Sequence, residues 1–371
     1  MIKQKICIYC ETWESGGIES FLTNVVQRLD MQQFSIDIVA ASLKDSVFTR
    51  GLEQIGVRFW ELSGNTRNVF CNLKMFRRIL EEQHYDVLHL NIYQALSMCY
   101  AHQAKKIGIP VRIIHSHNTA LRKSKMRIVK LAIHAMAKQC FAKNGTRFLA
   151  CSTDAAKFMF PQKVMDRKLF SVVPNGIETT RFCFHQEARD RFREQWSLQD
   201  KFVIGNIGRL CYQKNQSFLL DVFARLKTMR PNSKLLLIGA GEDEQRLREK
   251  VTQLNIEQDV LFYGTTAMPE QVLWAMDVFA FPSLFEGLGI VAIEAQAAGL
   301  PVICSDAIPT EAFVTKQIKM IPLSAGPSEW AKAICNCCGR GNREMSMESI
   351  RRAGFDIQDV AKQMAAYYSE G

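Results

Sequence analysis

The chain has 371 residues, 47% hydrophobic and 23% charged, with a formal net charge of +10. Its length exceeds what one core usually organises and predicts two domains, while its composition excludes a disordered chain. No apolar run approaches the ~18 residues of a membrane span, and the N-terminal stretch lacks the order of a secretory signal, so a cytosolic protein is expected.

The first run, KICIYC, reads as a strand whose Cys7 and Cys10 point to opposite faces, which argues against a chelating or redox pair. ESGGIESFL follows, where Gly16 and Gly17 either serve a plain turn or let backbone amides approach an anion ahead of a helix. FSIDIVAA, DVLHL, VRIIH and RFLAC continue as strands buried on both faces, separated by amphipathic stretches such as NLKMFRRILEEQ. That alternation predicts α/β architecture with parallel sheets.

Charge is unevenly placed along this half. No acidic residue lies between Asp86 and Asp154, whereas Lys105, Lys106, Arg112, Arg122, Lys123, Lys125, Arg127, Lys130, Lys138, Lys143 and Arg147 are all cationic. A solvated basic face is one reading; an anionic partner such as a membrane surface, a phosphorylated substrate or nucleic acid is the other. Zinc-finger and basic-zipper spacings and an interleaved stacking pattern are missing, so nucleic acid is not expected as a partner. In the loop HSHN, His117 is either held by backbone or free to hydrogen-bond a sugar hydroxyl.

VVPNGIETTRF, residues 172–182, carries a Pro-Asn-Gly turn signal and suits a linker. A second strand series follows in FVIGNIGRL, KLLLIGAG, DVLFYG, DVFAFPS and LPVICSD. After its first strand, Arg209 and Lys214 precede a helix and could neutralise a diphosphate. GAGE lacks the full GxGxxG pattern, which makes dinucleotide binding a poor reading. In FEGLGIVAIEAQAAGLPVICSD, Glu286 and Glu294 stand eight positions apart, and helix-terminus electrostatics accounts for the first but not the second. Cys335, Cys337 and Cys338 lack a matching His or Cys pair for zinc.

Taken in order, GGIE, HSHN, PNGIE, IGRLCYQKN, IGAGED and FPSLFEGLGIVAIEAQAAGLPVICSD resemble the signature of the retaining GT-B glycosyltransferases of family 4. HSHN, ACSTDAAKFMF and SDAIPTEA are most similar to the branch serving exopolysaccharide and capsular polysaccharide synthesis. The resemblance implies two Rossmann-like, doubly wound domains facing a cleft: residues 1–173 for the acceptor, 174–355 for a nucleotide sugar, and a final helix in 356–371 packing back on the first.

By the same resemblance, Arg209 and Lys214 hold the diphosphate, and Gly287, Leu288, Gly289, Ile290 and Val291 offer backbone N–H groups to phosphate and sugar. Glu286 takes the transferred sugar and Glu294 the ribose hydroxyls; His117 stands on the acceptor side against the donor sugar and Gly17 near the diphosphate. With no Asp-x-Asp motif in the sequence, no metal or other cofactor is expected, and leaving-group charge falls to Arg, Lys and helix N-termini. The expected reaction is front-face transfer with retention, from a UDP-sugar to a saccharide or lipid-linked acceptor, by a cytoplasmic enzyme held peripherally at an anionic membrane through Arg122, Lys123, Lys125, Arg127 and Lys130. A nucleotide-sugar epimerase of the same architecture is the alternative. Two departures from the family pattern stand out: Lys214-Asn215 where Lys-Gly is usual, and EGLG where EGFG is usual.

Overall fold

The computed structural model describes residues 3–14, 16–44, 46–121, 126–337, 343 and 346–370. It divides into two compact units, one of Met1–Ile177 with Ile357–Gly371 and the other of Glu178–Asp356.

The first unit is built on a seven-stranded sheet: β1 (Gln4–Trp13), β2 (Phe34–Leu43), β3 (Arg58–Glu61), β4 (Val87–Ile92), β5 (Val111–Ser116), β6 (Arg147–Ala150) and β7 (Phe170–Val172). The order is β3-β2-β1-β4-β5-β6-β7, and every pairing is parallel. Alternation along β1 puts Ile6, Ile8 and Cys10 into one core with helix Gly17–Val26, which contributes Ile18, Phe21, Leu22, Val25 and Val26 at helical spacing. Cys7, Tyr9 and Glu11 leave the opposite face of the strand. Cys7 and Cys10 are both buried and unbonded to each other.

Helix Ile357–Tyr368 completes that core with Ile357, Val360, Met364, Tyr367 and Tyr368. Its first N–H donates to the Ile177 carbonyl at 3.0 Å. Gly176, the glycine of the Pro-Asn-Gly signal, has no room for a side chain, because a Cβ there would lie 2.9 Å from Ile357 Cα.

The second unit holds six parallel strands, β8 (Phe202–Ile207), β9 (Ser233–Ile238), β10 (Val260–Gly264), β11 (Val278–Phe281), β12 (Val302–Cys304) and β13 (Ile318–Met320). Their order is β10-β9-β8-β11-β12-β13. In both sheets the connection reverses direction once, between β1 and β4 and between β8 and β11. Ligands of such open sheets bind at the carboxyl ends of the strands flanking that reversal.

Candidate functional site

In the second unit, the loops after β8 and β9 are pressed together. A Cβ on Gly239 would fall 2.1 Å from the Gly208 carbonyl oxygen, and one on Gly241 would fall 2.2 Å from that of Leu210. The glycines of IGAGED therefore serve loop packing, with Leu210 N–H donating to Ala240 and Asp243 N–H to Leu210, both at 3.0 Å. The packed loop carries Arg209, whose Nε donates to Glu242 Oε2 at 3.0 Å on the exposed side.

The same loop turns at Tyr212–Lys214 and aims Lys214 at the end of β11. Lys214 Nζ reaches Glu286 Oε1 at 2.7 Å and also lies 4.9 Å above the Phe281 ring. Gln213 ties the arrangement from the side, donating to the Phe285 carbonyl at 3.0 Å and to Glu286 Oε2 at 3.4 Å. Gln213 stands inside IGRLCYQKN, but its spacing alone carried no chemical signal. The departure at Asn215 has a conformational cause: its φ is +55°, the left-handed region that glycine fills without cost and asparagine tolerates. Asn215 adds a hydrogen bond from Nδ2 to the Pro282 carbonyl at 3.2 Å.

Past Glu286 the chain enters helix Ile290–Ala297 through Gly289, whose φ is +83°. No side chain caps that helix, which leaves the first-turn amides at Ile290 and Val291 without a side-chain partner at its N-terminus. Leu288 is buried, so the EGLG departure changes packing inside the unit. Glu294 sits half-buried in the second turn, and burial pushes its carboxyl up to about 7. Arg181 and Lys214 pull it down and Glu270 pushes it up. Arg181, paired with Glu270 at 2.9 Å, is a second residue that spacing did not single out. Lys214 thus acts on both carboxylates, as the ion-pair partner of Glu286 and as a more distant charge on Glu294.

In the first unit, His117 follows β5 and is buried, its Nε2 2.9 Å from Asn91 Oδ1. Burial lowers its pKa to about 3, so the ring is neutral. Nδ1 has no partner within hydrogen-bond distance; the nearby Asn175 amide oxygen, likewise unpartnered, opposes part of the shift. His117 ends a buried row: its ring centroid is 4.0 Å from that of His115, His115 Nδ1 lies 3.3 Å from His89 Nε2, and His89 Nδ1 lies 2.9 Å from the Tyr368 hydroxyl. Gly17 begins its helix behind Gly16, again without a side-chain cap. Arg127 and Lys130 are exposed on helix Arg127–Phe141; Arg122, Lys123 and Lys125 lie outside the described residues.

Two family descriptions match this chain: "Glycosyltransferase Family 4" over residues 15–181 and "Glycosyl transferases group 1" over 188–320. EpsF of Bacillus subtilis (strain 168) is 30% identical over 350 residues, covering 92% of this chain and 90% of its own. The chain belongs to glycosyltransferase family 4.

A UDP-Gal:α-D-GlcNAc-diphosphoundecaprenol α-1,3-galactosyltransferase of Escherichia coli is 26% identical over 300 residues, 77% of each chain. Among solved structures, Anabaena HepE in complex with UDP and glucose superposes with a TM-score of 0.80 at 20% identity, covering 99% of this chain and 100% of that one. WaaG, a glycosyltransferase involved in lipopolysaccharide biosynthesis, gives 0.75 at 14% identity over 99% and 100%. These likenesses and the two parallel sheets establish the two-domain GT-B α/β fold. The family 4 enzyme is a glycosyltransferase, and none of these proteins favours the epimerase alternative.

Proposed function

We propose that this family 4 enzyme moves a hexosyl or N-acetylhexosaminyl group, with retention, from a UDP-sugar to a saccharide or lipid-linked saccharide during exopolysaccharide or capsular polysaccharide synthesis. The observation that carries the reading is the Lys214–Glu286 pair at 2.7 Å beside the uncapped amides of helix Ile290–Ala297. One cation and a helix N-terminus suit a diphosphate, and the adjoining carboxylate suits sugar hydroxyls. The names of two relatives support donor and acceptor class: the Escherichia coli enzyme uses UDP-Gal and a diphosphoundecaprenol acceptor, and HepE is seen with UDP-glucose.

In this reading Arg209 and Lys214 neutralise the leaving diphosphate and the Gly287, Leu288, Gly289, Ile290 and Val291 backbone binds it, without a divalent ion. Glu286 orients the transferred sugar, Glu294 the ribose diol, and Gly17 approaches the diphosphate. Neutral His117 takes a sugar hydroxyl as a hydrogen-bond partner. The anomeric carbon–phosphate oxygen bond breaks as the acceptor oxygen bonds on the same face, and the acceptor's proton passes to the leaving phosphate. No glycosyl-enzyme intermediate forms.

The reading extends to the cytoplasmic face of a membrane. Helix Arg127–Phe141 buries His134 and Ala137 while Ile128, Val129, Leu131, Ile133 and Met136 stay exposed, Ile128 by 84%. Exposed apolar side chains between Arg127 and Lys130 form the profile of an interfacial helix. No helix among the described residues is long and apolar enough to cross a membrane.

A nucleotide-release screen with UDP-, GDP- and ADP-sugars, with and without EDTA, tests the proposal in the presence of membrane lipid extract. UDP release that survives chelation is expected, with Glu286→Gln lowering kcat about 100-fold. Release from ADP- or GDP-sugars alone, or an undiminished Glu286→Gln enzyme, would overturn it.

A further inference from the structure

The neutral His117 ring carries one proton for two nitrogens, and the packing around it decides which of them holds it. On the face of the first sheet that meets helix Gly17–Val26, β4 and β5 both change character toward their carboxyl ends. Val87 is followed by His89 and Asn91, and Val111 and Ile113 by His115, with Asn91 opposite His115 in the parallel register. The His117 N–H donates to the Ile92 carbonyl at 3.3 Å, which carries the pairing just past the end of β5.

Asn91 is fully buried, and its Oδ1 lies 2.9 Å from His117 Nε2. A carbonyl oxygen only accepts, so the proton sits on Nε2 and the lone pair on Nδ1. Nδ1 is buried as well and meets no donor; the polar atom near it, Asn175 Oδ1, is a second acceptor without a partner of its own. Two acceptors therefore compete for one proton. Asn91 wins because it alone stands within hydrogen-bond distance. The His115 and Phe21 rings, with centroids 4.0 and 5.7 Å from that of His117, pack against the imidazole and restrict its rotation. An unpaired buried acceptor is costly, and a hydroxyl arriving at Nδ1 removes that cost.

We propose that Asn91 is a positioning residue for His117: it fixes the neutral ring as the Nε2–H tautomer and so makes Nδ1 the acceptor of a hydroxyl proton from the bound sugar. The sugar contact rests on the proposed glycosyl-transfer reading, but the tautomer does not and can be observed without any nucleotide. A preference follows from it. Nδ1 in this state receives a hydroxyl and offers nothing to a group that only accepts, such as a fluorine or an ether oxygen in the same place.

Nitrogen NMR of the full chain, labelled at histidine and kept near neutral pH without nucleotide, reads the tautomer, and His117→Gln identifies the ring's resonances. The parent should show a protonated Nε2 and a bare Nδ1. Asn91→Leu removes the acceptor and should move the proton to Nδ1, against Asn175 Oδ1, while lowering kcat for UDP release about 10- to 100-fold. Asn91→Asp keeps an oxygen opposite Nε2 and should keep the parent tautomer and recover most of that turnover. A bare Nε2 in the parent, which the Asn91 amide turned about would produce, overturns the proposal. So does an unmoved proton in Asn91→Leu, or a moved proton with undiminished turnover. If Asn91→Leu does not fold, the parent spectrum and Asn91→Asp decide, and loss of the Nε2–H tautomer in Asn91→Asp counts against the proposal. The expected tautomers in a protein that turns over no UDP-sugar uphold the hold of Asn91 on the ring and overturn the donor reading instead.

Discussion

Lys214 and Glu286 form a pair in which neither group can be altered alone without consequence. Their side chains are 17% and 8% exposed, so Lys214→Met strands a carboxylate in a mostly dry setting. The expected loss is about 3 kcal/mol in denaturant unfolding, largely recovered in the Lys214→Met/Glu286→Gln double variant, while turnover stays low in both. At Glu294 the linkage runs the other way from an ordinary carboxylate. Its pKa rises from 4.5 to about 7 on folding, so stability is lost as pH climbs through that interval. Glu294→Gln should therefore melt above the parent at pH 8, with the gap closing toward pH 4.5. At Asn215, φ of +55° makes glycine nearly neutral and valine costly by about 1–2 kcal/mol, a contrast that thermal melts of the two variants can read. Single residues of this kind were legible when their type was chemically marked. The two glutamates and the Arg-Lys loop stood out, whereas Gln213, Arg181 and Asn91 acquire meaning only from neighbours distant in the chain.

At the scale of elements, the long apolar strands announced themselves because they are buried on both faces. β3, β7 and β13 did not, since each is short and carries exposed positions. β3 is nevertheless fastened: Arg58 donates twice to buried Asp37, at 2.8 and 2.7 Å, and Trp60 once at 3.0 Å. The charge at the centre of FSIDIVAA is thus the anchor of a strand that hydrophobic pattern could not reveal. The loops after β8 and β9 supply another such case. Gly239→Ala forces a Cβ to 2.1 Å from a carbonyl and should cost about 2–3 kcal/mol, against about 1 for Gly264→Ala, where φ is +80° but the space is open. For helix Arg127–Phe141, replacing Ile128 and Met136 by Ser should weaken sedimentation with anionic liposomes, and neutralising Arg127 and Lys130 should make that binding less salt-sensitive. Liposome binding that both variants retain in full would remove this helix from the membrane reading.

Over the whole molecule, the buried histidines concentrate acid sensitivity in one unit. His89 and His117 are lowered to about 3 and His115 lies well below 6.5, all through burial. Each contributes stability in full above the unfolded value of 6.5, lost as pH falls toward 3, at about 1.4 kcal/mol per pH unit for each proton taken up. Hydrogen exchange near pH 5 should show the first unit opening before the second, and His89→Gln should reduce the slope. The doubled Rossmann pattern was readable from two strand series, while the association of residues 357–368 with the first core depends on contacts across most of the chain.

That association also sets an order in time. The carbonyl of Ile177 and the N–H of Ile357 are hydrogen-bonded, so the polypeptide leaves the first unit and re-enters it at one spot. Emerging from a ribosome, residues 178–356 are complete before Ile357, Val360, Met364, Tyr367 and Tyr368 exist to close the first core. The unit encoded second is therefore the one able to finish folding first, while the earlier-made sheet waits with one flank uncovered.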